Sequence, residues 1–163
     1  MKRSRDKRLT LALLRHPVHL LSFGFGSGYA PFAPGTFGTL VAVPVFMWLS
    51  QFSTVQYVVI VAVMFTAGIW FCNQTSQTLG VHDHKAIVWD EIVGYLITML
   101  LITPSWLNIC AGFALFRLFD IWKPWPINLL DKNVHGGLGI MLDDVLAGFF
   151  AWLVLQLVLN GLT

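Results

Sequence analysis

Long apolar runs separated by short polar turns set the plan of this chain. Residues 40–52 and 55–71 form the first two runs, joined at Ser53-Thr54. A third opens at Asp90-Glu91 and reaches Ile102, and a fourth, residues 106–122, follows the turn Thr103-Pro104-Ser105. A fifth covers residues 145–162. A helix crossing a bilayer needs about 20 apolar residues. Most of these runs come close to that length, and 40–52 is short enough to borrow from its flanks or to be re-entrant. Backbone polar groups in lipid must be satisfied within the segment, which selects helices. The pattern predicts an all-α polytopic membrane bundle of about four to five spanning or re-entrant helices. It forms one domain, residues 1–163, with a basic arm at 1–15.

Between the runs lie three kinds of connection. Residues 19–39 are glycine-rich, with Gly24-Phe25-Gly26-Ser27-Gly28 and Pro34-Gly35-Thr36-Phe37-Gly38. Thr36 or Thr39 is placed to cap the following helix, and a helix start with free N–H groups can take an anion. Residues 72–80 are polar but uncharged and read as a loop. Lys123-Pro124-Trp125-Pro126 ends the fourth run, because proline cannot continue a helix. Trp122 and Trp125 suit a membrane interface.

Composition strengthens the membrane reading. The chain is 56% hydrophobic and 11% charged, with a mean hydropathy of +0.72, against about 25% charge in soluble domains. Six of the ten Lys and Arg lie in residues 1–15, and seven of the eight acids lie from Asp83 onward. The apolar stretch after the basic arm is short and broken by Arg15-His16, so the arm reads as a cytoplasmic tail rather than a cleaved leader. The turns at 53–54 and 103–105 carry no charge. The arm, the loop around His84 and the loop around Lys132 therefore share one face, the cytoplasmic one by the positive-inside rule. Cys72 and Cys110 lie in apolar runs and read as buried hydrophobes. No nucleic-acid partner is expected.

The remaining charge is concentrated. Asp90 and Glu91 follow His82-Asp83-His84-Lys85; Arg117 and Asp120 share a helix face at i and i+3; Lys123, Asp131, Lys132, His135 and Asp143-Asp144 come next. Carboxylates in a first turn also serve as ordinary helix caps, and Arg117–Asp120 could be a self-neutralising pair. Yet charge at membrane depth is costly and usually marks a site. Helical hairpins bring Asp90, Glu91, Asp120, Asp143 and Asp144 to one membrane surface. Clustered carboxylates suit Mg²⁺, a hard ion that bridges protein oxygens to phosphate. Arg117, Lys123, Lys132 and His135 add positive charge. The combination points to phosphoryl chemistry on a lipid. Cys-x5-Arg, Asp-x-Asp-x-Thr/Val and His-Glu-x-x-His signatures are absent, which argues against the chemistries built on them.

Several blocks carry a family resemblance. They are residues 24–28 and 34–38, Val81-His82-Asp83-His84, Val88-Trp89-Asp90-Glu91, Phe116-Arg117 through Asp120, Lys123-Pro124-Trp125-Pro126-Ile127, and the run from Asp131 to Asp144. The chain resembles the phosphatidylglycerophosphatase A family, Mg²⁺-dependent lipid phosphatases of bacterial membranes. The resemblance implies an all-helical fold in the bacterial inner membrane. It also implies hydrolysis of phosphatidylglycerophosphate to phosphatidylglycerol and phosphate, a step of phospholipid biosynthesis, at the cytoplasmic face. The resemblance does not assign the individual carboxylates; from the residues themselves, Asp90, Glu91, Asp143 and Asp144 are expected to hold the metal and Asp120 to join or orient them. Arg117, Lys123 and Lys132 take the phosphate, with Gly35 and Thr36 as a backbone cradle. His135 is the candidate proton donor to the leaving group. The competing class is a small ion- or proton-coupled transporter using the clustered acids. The uncharged far-side turns and the lack of an internal repeat argue against it. A structural subunit would leave the paired acids unexplained.

Overall fold

A computed structural model of the chain describes residues 9–161. The first eight residues of the basic arm lie outside the described residues. The fold is all-helical, with no strand among the described residues. After a 3-10 turn at Leu11–Arg15 come α1 (Pro17–Ser22), a second 3-10 turn at Gly24–Tyr29, α2 (Pro34–Leu49), α3 (Thr54–Leu79), α4 (Trp89–Thr98), α5 (Trp106–Trp122), α6 (Ile127–Asn133) and α7 (Gly136–Gly161).

Helix starts and stops follow local chemistry. Ser53 and Gln56 form a reciprocal capping box that opens α3. Ser105 Oγ accepts from the Asn108 N–H and opens α5. Gly80 closes α3 at a φ of 66°, a left-handed conformation that glycine adopts without a Cβ penalty.

Four boundaries differ from the sequence expectation, and one of them is the end of α4, at Thr98 rather than Ile102. The first apolar helix begins at Pro34, not Leu40, and its cap position is Ala33. Neither Thr36 nor Thr39 caps it: Thr39 Oγ1 instead donates to the Gly35 carbonyl at 2.9 Å. The polar stretch 72–80 is not a loop, because α3 runs on through Leu79. Two of its polar side chains are buried in the bundle: Thr75 Oγ1 lies 2.9 Å from His19 Nδ1, and Ser76 Oγ donates to the carbonyls of Val81 and His82. Finally, α7 starts at Gly136, so Asp143 and Asp144 sit two turns inside it rather than at its mouth. That start is capped from other elements: the Gly136 N–H donates to His82 Nε2 at 2.7 Å and the Gly137 N–H to Asn73 Oδ1 at 3.3 Å.

The core is built where α7 packs against α4, α3 and α5. Eight of the ten residues of α4 are buried, which makes it the inner helix although it is short. Small residues bring α4 and α7 together. A Cβ at Gly148 would run into the Gly94 carbonyl, and one at Gly94 would meet the Asp144 carbonyl and the Phe116 ring. Tyr95, next to Gly94, packs edge-on against Phe46 and Phe116, and all three rings are buried. Two aromatic polar tips are paired: Tyr57 Oη donates to the Leu96 carbonyl at 2.7 Å and Trp89 Nε1 to that of Met64 at 3.0 Å.

The outside of the bundle is apolar too. Val55, Val59, Val63 and Trp70 of α3, Leu107, Leu118 and Ile121 of α5, and Leu157 and Val158 of α7 are exposed. Thr54–Leu79 and Gly136–Leu159 are long and apolar enough to cross a membrane, and α2 is a shorter apolar helix. Such an exterior suits association with a bilayer. Trp122 and Trp125 are exposed, as an interfacial position requires. Cys72 is buried as expected, whereas Cys110 faces outward from α5, where a lipid-facing surface accepts it as readily as a core does.

Candidate active site

Three helix segments converge on one cavity of about 230 Å³. The first turn of α4 supplies Asp90 and Glu91, the last two turns of α5 supply Arg117 and Asp120, and the third turn of α7 supplies Asp143 and Asp144. Lys123, at the left-handed end of α5, and Gly35, in the first turn of α2, complete the wall. The sequence separates these groups widely; the α4–α7 glycine contact and the α5–α7 packing bring them together.

Carboxylate oxygens of Asp90, Glu91 and Asp144 all lie within 4.8 Å of one another. Asp90 and Asp144 are buried and Glu91 is nearly so. Like charges this close, away from water, repel strongly unless a cation or protons neutralise them. Asp90 Oδ1 and Glu91 Oε2 are buried and make no hydrogen bond among the described residues. Unsatisfied buried oxygens of this kind cost free energy and call for a partner. A trio of hard oxygen donors with open lone pairs fits a metal ion.

The cations sit beside the trio, already engaged. Arg117 forms an ion pair with Asp120 through Nη1, which also lies 3.9 Å from Glu91 Oε1. Lys123 Nζ lies 2.6 Å from Asp143 Oδ2. Both pairs are largely buried, so Asp143 is held by Lys123 and stands outside the close trio. A Cβ at Gly35 would fall on Glu91 Oε1 and the Arg117 guanidinium, so a larger residue here would displace both side chains.

Other expected groups lie elsewhere. His135 stacks edge-on against His82 at 5.2 Å between ring centroids and does not line this cavity. Thr36 does not line it either, and its backbone N–H is taken by the Ala33 carbonyl at 2.9 Å. The side chain of Lys132 lies outside the described residues. The Gly24–Tyr29 turn serves packing: a Cβ at Gly28 would strike the Ala86 carbonyl, so this glycine lets the turn support the segment that leads into α4. Asp83 and Lys85 do line the cavity. Their run precedes Asp90-Glu91 in the sequence, but nothing local in it marks Asp83 and Lys85 as cavity wall.

Fold and site together define a membrane-associated helical bundle with an internal carboxylate cluster flanked by paired cations, a class suited to phosphate chemistry at a lipid surface. The chain belongs to the phosphatidylglycerophosphatase A family, whose model matches residues 20–159. It is 46% identical over 150 residues to the phosphatidylglycerophosphatase A of Escherichia coli (strain K12), covering 91% of this chain and 87% of that protein. It is 46% identical over 143 residues to the Haemophilus influenzae protein of the same name, covering 86% and 88%. A Bacteroides thetaiotaomicron protein named as a candidate phosphatidylinositol-3-phosphatase is 38% identical over 146 residues, covering 83% and 89%. No solved structure matches the chain.

Proposed function

We propose that the protein hydrolyses phosphatidylglycerophosphate to phosphatidylglycerol and inorganic phosphate, as a single domain with its site at the cytoplasmic face of the bacterial inner membrane. The observation that carries this reading beyond family membership is the Asp90–Glu91–Asp144 trio, three close carboxylates with two unsatisfied buried oxygens. The proposed ion is Mg²⁺, held by these three residues. When bound, it would polarise the phosphoryl oxygens and assist attack by water.

The chain's own groups do the rest. Arg117 and Lys123 hold positive charge against the transferring phosphoryl group, where charge develops as the bond to the glycerol oxygen breaks. Their carboxylate partners, Asp120 and Asp143, fix where those cations point. Gly35 keeps the backbone of α2 close enough to shape the wall. A water oxygen becomes the fourth oxygen of the released phosphate, and its proton balance restores the glycerol hydroxyl. His135, being against His82, would serve as proton donor only by moving with its loop.

A lipid substrate agrees with the surroundings. Val145, the residue after Asp144, lines a separate apolar groove with Val61, Phe65, Ile97 and Leu100. Tails can thus lie along α3 and α4 while the head reaches the acids. The test is phosphate release by purified protein from phosphatidylglycerophosphate and, in parallel, phosphatidylinositol 3-phosphate in the same detergent. Clear preference for the first substrate is the expected result; activity on the second alone would contradict the assignment.

A further inference from the structure

The cavity has three described cationic side chains in its wall, and they are not equivalent. Arg117 is committed to Asp120 and Glu91, and Lys123 to Asp143. Lys85 is exposed and has no carboxylate partner among the described residues. It stands on a segment whose backbone is fixed. The His84 carbonyl accepts from the Ile87 N–H at 2.8 Å, and His84 Nδ1 accepts from the Ala86 N–H at 3.1 Å. Ala86 itself is buried against Gly28. Lys85 is thus an exposed member of the cavity wall on a fixed backbone, while the Asp90 and Asp144 carboxylates of the same cavity are buried.

Resting on the hydrolase reading above, we propose that Lys85 is a specificity residue that binds the bridging phosphodiester of phosphatidylglycerophosphate. That substrate carries two phosphates: a terminal monoester, which the chemistry consumes, and a diester joined to the acylated glycerol, which survives in the product. With the monoester at the deep acids, the diester lies one glycerol away, toward the rim. A diester at the rim would therefore depend on Lys85, the lining cation with no carboxylate partner among the described residues. A lysine offers such a diester a compact charge and rotatable donors.

The product separates this role from a merely structural one, because phosphatidylglycerol has the diester and lacks the monoester. The experiment compares wild type, Lys85→Ala and Lys85→Arg in detergent, measuring kcat, KM and inhibition by phosphatidylglycerol and by inorganic phosphate. In Lys85→Ala, KM for phosphatidylglycerophosphate and Ki for phosphatidylglycerol should both rise about tenfold, the loss expected for one charge-assisted hydrogen bond. Turnover at saturation and Ki for inorganic phosphate should stay within about twofold of wild type, and Lys85→Arg should recover most of the affinity. A matching rise in Ki for inorganic phosphate would overturn the assignment, because Lys85 would then hold the monoester. Unchanged KM and Ki in an active Lys85→Ala variant would overturn it alone. Wild-type protein inactive on phosphatidylglycerophosphate would instead overturn the hydrolase reading and this assignment with it.

Discussion

Asp144→Asn should lower phosphate release on the order of a thousandfold, the scale seen when one preorganised electrostatic group is lost from a reaction centre, while the fold is retained. Asn preserves the size of the side chain, so the α4–α7 contact at Gly94 and Gly148 is not disturbed. What changes is charge. The trio loses one of three crowded carboxylates, and with it the driving force to take up a divalent ion. In EDTA the variant should unfold at the same temperature as wild type or higher, because repulsion within a buried cluster is relieved. Added Mg²⁺ should raise the unfolding midpoint of wild type, by the linkage between binding and stability, and raise that of the variant much less. Near-normal turnover in Asp144→Asn would remove this residue from the reaction centre.

Arg117→Met should be the most damaging change to stability around the site. Arg117 is the shared partner of Asp120 and Glu91, and all three side chains are largely buried. Removing one member of a buried charge group leaves the others uncompensated, at a cost of about 3–5 kcal/mol. The loss should be largest in EDTA, where no divalent ion offsets the remaining carboxylates. Arg117→Lys keeps the charge but not the rigid guanidinium whose Nη1 lies beside both acids, and should fall between. The check is the thermal unfolding midpoint in detergent for the three proteins. A midpoint for Arg117→Met equal to wild type would show that the pair with Asp120 is not holding this corner together.

The helix plan was legible where turns carry their own chemistry. Ser53 and Ser105 sit at boundaries that hydrophobic pattern and capping both mark, and α5 matches the expected run 106–122. Boundaries were missed where the signal is not local. Residues 72–80 are polar, but they contain no proline or glycine before Gly80, so nothing stops α3, and their partners are His19 and the carbonyls of Val81 and His82. Gly136-Gly137 reads as a loop because its caps come from Asn73 and His82, distant in the chain. The acids of the site were legible as a set, since buried charge in so apolar a chain stands out. Their grouping was not. That Asp143 turns to Lys123 while Asp144 turns to Asp90 and Glu91 depends on the azimuth of α7. That azimuth is set by close glycine contacts with α3 and α4, which no single-chain pattern reveals.

The central claim is that the Asp90–Glu91–Asp144 cluster serves a divalent ion in phosphate release from a lipid. Its most direct test is phosphate release from phosphatidylglycerophosphate by purified, folded protein as Mg²⁺ is titrated into an EDTA-stripped sample. No release is expected in EDTA, with recovery that saturates with Mg²⁺ and no recovery in Asp144→Asn at the same concentrations. Full activity in EDTA, or an Asp144→Asn titration that overlays wild type, would contradict the claim.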